Sequence, residues 1–304
     1  DVASGTTPYT LGFRKAFKVQ NGNQTSGAGA GDAIYIRYRP EAQDIANSGW
    51  NYTSTSSFIT LSFWVKSSVA QNFFGYLETS DGTQKIYPFQ TGSLSADTWT
   101  KVIVKIPGHA DLAFNLDNGQ AMGINIAPFF GTAYTANSAT VDTWKAYSDT
   151  ERMPDNTSTW YTTNDATFEI TGVQLEVGNA TDFEHKSFGQ ELELCRRYYQ
   201  VLVDDGSGKS FGNGTCYTDS NMHLILQLSP NMRTTPTIDQ VTGTNYYRMF
   251  RNGGESTFSQ FSLEPSSSSK IVDIYATGAS GSQGASALLR TDNAAAKIRF
   301  SAEL

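Results

Sequence analysis

Ser57-Phe-Ile-Thr-Leu-Ser-Phe-Trp-Val-Lys-Ser-Ser68 decides the fold class. In an extended chain Leu61, Phe63 and Val65 share one face, and Ser62, Trp64 and Lys66 the other. A period of two in a run this rich in aromatic and β-branched residues predicts a strand with one face against a core. The core side is expected to take Trp64 as well as Trp99; an open concave face would instead make Trp64 a platform together with Tyr76 or Tyr87. Ala33 to Arg39 alternates in the same way. Phe73 to Ser80 and Gln84 to Thr91 flank Asp81-Gly82, a dipeptide suited to a tight hairpin turn. Thr98 to Pro107, Ala121 to Phe130 and Thr167 to Val177 complete a set that predicts one antiparallel sandwich over residues 1–186.

Ser187 to Tyr199 is the best helical segment: good helix formers, acidic residues early, Arg196 and Arg197 late. Leu192, Cys195 and Tyr199 recur at helical spacing. Strand candidates resume beyond it, among them Gly214 to Thr218, Met222 to Leu228, Phe258 to Leu263, Lys270 to Tyr275 and Ala296 to Ala302. Pro230, Pro236 and Asn252-Gly-Gly254 interrupt them. The expectation is an all-β chain of two antiparallel, jelly-roll-like β-sandwich domains, 1–186 and 200–304, joined by a short helix at 187–199.

Composition agrees. Charged residues are 17% of the 304 and aromatics 12%, and there are 27 glycines. Coiled coils and helical repeats need far more Ala, Glu, Lys, Leu and Arg, and disorder needs less apolar content. The net charge of −7 argues against nucleic-acid binding through a basic face. No apolar run approaches the roughly 20 residues of a membrane span, so no membrane insertion is expected. The chain opens at Asp1 without an initiator Met, so residue 1 is expected not to be the start of the gene product. Cys195 and Cys216 are expected to be free and buried rather than bridged.

Catalytic patterns are missing. His109, His185 and His223 stand isolated, and no nucleophile elbow, phosphate loop or dinucleotide fingerprint occurs. Gly27, Gly29 and Gly31 read as a loop within Asn21 to Gly31 rather than a phosphate cradle. Three carboxylate pairs are candidates for hydrolysis (Glu78 with Asp81, Asp111 with Asp117, Glu169 with Glu176) but arise by chance among 29 acidic residues. No cofactor and no metal are expected; a structural Ca²⁺ held by Asp111, Asp117 and Asn118 is the weaker alternative to a solvated turn. The residues best suited to recognition are aromatic. Sugars offer apolar C–H faces that stack on Trp and Tyr rings. Trp50, Tyr52, Trp144, Tyr147, Trp160 and Tyr161 sit among small polar residues, a composition seen in adaptable binding surfaces. These six are the candidate glycan-binding residues; the competing reading is that they cap the ends of the sandwich or face another subunit. Four of them fall in the weakly periodic stretch Gly131 to Asn164.

Two segments carry a resemblance. Thr60-Leu-Ser-Phe-Trp-Val-Lys-Ser67 with Asp97-Thr-Trp-Thr-Lys-Val-Ile-Val-Lys-Ile-Pro-Gly108 resembles the strand pair of carbohydrate-binding-module-like jelly rolls. Phe168-Glu-Ile-Thr-Gly-Val-Gln-Leu-Glu-Val-Gly178 and the segment Ala180 to Tyr199 resemble tail fibres and related virion appendages of bacteriophages, particularly marine and cyanobacterial ones. The resemblance implies a non-enzymatic structural protein on the exterior of a phage virion. It implies a tail-fibre or spike component, a homotrimer contacting other virion proteins, that binds a host cell-surface glycan during adsorption. A capsid decoration, capsid fibre or tail adaptor with a purely structural role is the alternative, and a polysaccharide depolymerase the third. No catalytic residue transfers with it.

Overall fold

The computed structural model describes residues 1–23 and 26–304; Gln24 and Thr25 of the expected Asn21–Gly31 loop lie outside the described residues. The chain is all-β, 41% strand and 7% helix, with antiparallel sheets. It divides into two compact units, Asp1–Glu184 and His185–Leu304. Among the described residues no helix is long and apolar enough to cross a membrane.

The first unit contains β1 (Phe17–Gln20), β2 (Ala33–Tyr38), β3 (Phe58–Ser67), β4 (Asn72–Thr79), β5 (Lys85–Ser93), β6 (Thr100–Pro107), β7 (Met122–Phe130), β8 (Lys145–Ala146) and β9 (Thr167–Val177). Three short helices accompany them: α1 (Thr7–Thr10), α2 (Ala42–Ala46) and α3 (Thr159–Thr162). The sheets run β1-β9-β3-β6 and β2-β7-β4-β5-β8. Leu61, Phe63 and Val65 on β3 are fully buried against Phe73, Leu77, Phe89 and Ile124 of the facing sheet. Phe63 meets Phe89 edge-on with centroids 6.5 Å apart, and Phe73 meets Phe168 at 5.0 Å. The alternation read in β3 thus holds the two sheets together.

The same alternation corrects the expectation for Trp64. It points outward, half-buried, opposite Lys101 of β6. Trp99 is also half-buried outside, with Lys66 Nζ 5.3 Å from the ring. Neither belongs to the core. Nor do they form a platform with Tyr76 or Tyr87, which are buried on the other sheet.

The outer face of the five-stranded sheet is covered. Within the stretch Gly131 to Asn164, β8 pairs with β5 and Thr135 bridges Met153. Tyr76, Ile86, Ala127, Phe130 and Met153 are buried there, with Phe74, Tyr134 and Tyr147 packed around them. Arg152 lies 5.0 Å from the Tyr134 ring, and Arg37 pairs with Glu78 at 3.2 Å. The long stretch is therefore a fitted cover with a small apolar core of its own.

The second unit opens with α4 (Phe188–Arg196), followed by β10 (Tyr199–Val203), β11 (Ser210–Cys216), β12 (Asn221–Gln227), β13 (Thr237–Gln240) and β14 (Tyr247–Arg251). Then come β15 (Gly254–Phe258), β16 (Ser262–Leu263), β17 (Ile271–Thr277), β18 (Ser286–Thr291) and β19 (Ile298–Ser301). A seven-stranded sheet, β15-β14-β18-β11-β12-β17-β16, and a three-stranded one, β10-β19-β13, enclose a second core. Leu224, Tyr247, Ile274 and Leu289 from the larger sheet pack with Val203, Ile298 and Phe300 from the smaller. Strands β8 and β16, each at an edge, are two residues long, and edge strand β6 turns Lys101 and Lys105 outward.

Helix α4 is stabilised locally. The Ser187 hydroxyl accepts from Gln190 N, and Gln190 Oε1 accepts from Ser187 N at 2.9 Å, a capping box. All nine residues are exposed. That corrects the reading of the thiols: both are free, but only Cys216 is buried, and Cys195 lies exposed on α4.

Two predictions follow from the cores. All five tryptophans lie in the first unit, so their fluorescence reports its unfolding. Phe63→Ala should lower that unit's stability by about 3–5 kcal/mol, seen as an earlier denaturant midpoint. A wild-type-like midpoint would remove Phe63 from the contacts that join the sheets. Burial pushes the hydroxyls of Tyr87 and Tyr247 up to about 12. An unfolded tyrosine ionises near pH 10. The stability these groups contribute is therefore complete below pH 10 and is lost as pH rises toward 12. Denaturant midpoints measured from pH 9 to 12 should fall across that interval, and less steeply for Tyr87→Phe.

Candidate functional site

The outer face of the seven-stranded sheet, unlike that of the five-stranded one, carries an open groove of about 800 Å³. That volume is within the range of small-ligand sites. Its floor is built by β12 and β17. These strands pair without a break from Asn221↔Thr277 to Gln227↔Ile271. Met222, Leu224, Val272, Ile274 and Ala276 turn into the core. Asn221, His223, Ile225, Asp273, Tyr275 and Thr277 must then turn outward, and all six line the groove.

The register explains each contact. His223 lies directly opposite Tyr275, and their rings stack with centroids 5.5 Å apart and planes 20° apart. Asp273 is the diagonal neighbour of His223, within reach of its side chain. His223 Nδ1 lies 3.0 Å from Asp273 Oδ1 and 3.3 Å from Oδ2. A carboxylate only accepts, so the neutral imidazole carries its proton on Nδ1 and leaves Nε2 as an acceptor.

Tyr217 adds a third ring, 5.1 Å from His223 and tilted by 55°. It sits in the turn between β11 and β12, where Tyr217 N donates to Asn221 O at 2.8 Å and the Thr218 hydroxyl accepts from Asn221 N at 3.0 Å. Tyr217 and Ile225 are 68% and 67% exposed, so the groove offers apolar surface to solvent. On the far side Glu264 lies beside Asp273, with Glu264 N donating to Asp273 O at 2.9 Å. Ser267 Oγ accepts from Asp273 N at 3.0 Å and fixes that wall.

The six residues expected to bind are elsewhere. Trp50 (3% exposed) and Trp160 (0%) are core residues, which corrects their reading as surface platforms. Trp160 Nε1 donates to Thr167 O at 3.0 Å. Tyr52 is half-buried edge-on to Phe114 at 5.0 Å. Trp144 packs on Tyr87 at 5.2 Å and donates to Pro107 O at 2.6 Å. Tyr161 stacks on Phe129 at 4.4 Å, and its hydroxyl, donating to Asp32 Oδ2, is pushed up by that bond. Tyr147 donates to Asp149, and burial pushes its hydroxyl up to about 12. Each is engaged in packing the first unit, because the segments that carry them fold back onto the sandwich.

The carboxylate pairs are likewise separated by partners of their own. Glu78 binds Arg37, and Glu169 binds Lys66 at 3.0 Å. Glu176 accepts from Thr181, and Asp81 from Asn115. Lys85, 2.7 Å from Asp111, holds that carboxyl below its usual range. Asp117 Oδ1 accepts from Gly119 N. Among the described residues no three His, Cys, Asp or Glu side chains are grouped to hold a metal.

The groove escaped the sequence reading because His223 reads as solitary and its partner lies fifty residues on. The polar half of the alternation in Met222 to Leu228 and Lys270 to Tyr275 was the available signal. Comparison of the sequence with protein-family models and with curated proteins gives no match.

The His223–Asp273 geometry predicts a single tautomer. Long-range ¹H–¹⁵N correlation spectra of the neutral imidazole should show the proton on Nδ1. Asp273→Ala should abolish that preference; an Nε2 proton in the wild type would refute the assignment.

Proposed function

We propose that this chain is a bacteriophage virion appendage, a tail-fibre or spike component, whose His185–Leu304 unit binds a host cell-surface glycan. The observation that carries the binding reading is the ring array Tyr217, His223 and Tyr275 in an open groove edged by carboxylates. Rings match the apolar faces of pyranoses, and a few fixed polar groups orient the hydroxyls. The virion reading rests on Phe168 to Gly178 and Ala180 to Tyr199, the segments that resemble phage appendages. A homotrimer on the particle exterior, in contact with other virion proteins, belongs to the same reading.

Glycan cleavage is the second reading. Glu264 beside Asp273 supplies the two acids that hydrolysis needs. Binding is preferred because His223 Nδ1 engages both oxygens of Asp273.

Purified protein should adsorb to host envelope fractions or to members of a glycan panel. Tyr275→Ala should lower the affinity at least tenfold, about 1.4 kcal/mol, with an unchanged circular-dichroism spectrum. Failure of the wild-type protein to bind any envelope fraction, or full binding by Tyr275→Ala, would remove the groove from adsorption. Release of reducing ends from the bound polysaccharide would replace binding with cleavage.

A further inference from the structure

The charge of the groove narrows what it can hold. Among the described residues no lysine or arginine lines it, whereas Glu264 and Asp273 do. The ladder that pairs Ser262 with Tyr275 and Leu263 with Ile274 sets Glu264 against Asp273, so the two carboxylates stand on the same face about 5 Å apart at Cβ. Like charges so placed repel unless a cation comes between them. Asp273 accepts a hydrogen bond from His223 Nδ1; among the described residues no cation pairs with the Glu264 carboxylate, which is half-buried in the groove wall.

A metal ion is a poor occupant. It wants several oxygen or nitrogen ligands at close range, and no such trio is present among the described residues. An organic ammonium suits the place better. It needs one or two carboxylates on one side and accepts the face of an aromatic ring on the other, through attraction to the ring's quadrupole. Tyr275, two residue pairs from Glu264 along the ladder and so on the same face, offers that ring, and its stacking on His223 holds it in place.

We propose that the groove selects sugars carrying a free amino group, with Glu264 as the specificity-determining residue. The sugar ring lies against Tyr275 and Tyr217, and its ammonium lies between Glu264 and Asp273. Uronates, sialylated chains and phosphorylated sugars are rejected by the same two carboxylates. This inference rests on the glycan-binding reading above and adds the chemical class of the ligand.

The full chain is titrated calorimetrically with glucosamine oligomers, with N-acetylglucosamine oligomers of the same length, and with galacturonate oligomers. The free-amine series should bind at least tenfold more tightly than the acetylated one, and the galacturonates should not bind. Glu264→Gln should erase the difference between the two series. Raising the salt concentration should weaken only the free-amine series in the wild-type protein, a readout that stands if the variant misfolds. Equal affinities for the free-amine and acetylated series, or a preference for galacturonate, would overturn the amine proposal and leave glycan binding intact. No binding by any sugar, on these oligomers and on host envelope fractions, would overturn both.

Discussion

The unbroken ladder between β12 and β17 is the constraint on which the site depends. Its seven residue pairs lock the pleat of both strands. A slip of one residue on either strand would reverse every side chain. Leu224 and Ile274 would face water, and His223, Asp273 and Tyr275 would enter the core. The apolar contacts with Ile298 and Phe300 on the opposing sheet prevent the slip. The core of the second unit therefore positions the groove: hydrophobic burial on one face decides which polar side chains meet on the other.

The two large sheets use the same pleat to opposite ends. On the five-stranded sheet the outward residues are mostly aromatic or apolar, Phe74, Tyr76, Ile86 and Phe130, and the chain returns over them between Gly131 and Asn164. On the seven-stranded sheet the outward residues of β12 and β17 are mixed: Asn221, His223, Ile225, Asp273, Tyr275 and Thr277. A surface of that kind is stable in water and still offers ring faces. The cost of leaving it uncovered is small, since its polar atoms stay hydrated or pair with one another, as His223 does with Asp273.

The all-β architecture was legible because alternation is local. Leu61, Phe63 and Val65 announce a core face without reference to the rest of the chain, and the Asp81-Gly82 turn lies between β4 and β5. What was not legible depends on which sheet face the chain later covers. Trp64 and Trp160 are equally aromatic; one lies outside a sheet and the other is sealed by α3 folding inward. The short strands β1, β8 and β15 carry too few residues for a period to show. The groove was hidden for a third reason. It is assembled by pairing between segments some fifty residues apart, and neither segment carries a motif alone.

Three of the sheet edges are built so that a foreign strand finds little to pair with. Where a sheet ends in the two residues of β8 or β16, or in β6 with its outward lysines, little backbone is free to recruit a foreign strand. At these three edges a second copy is thus kept from adding its own strand and extending the sheet. At those three edges an approaching surface meets side chains rather than open backbone, and side chains can be matched to one shape and refused to others.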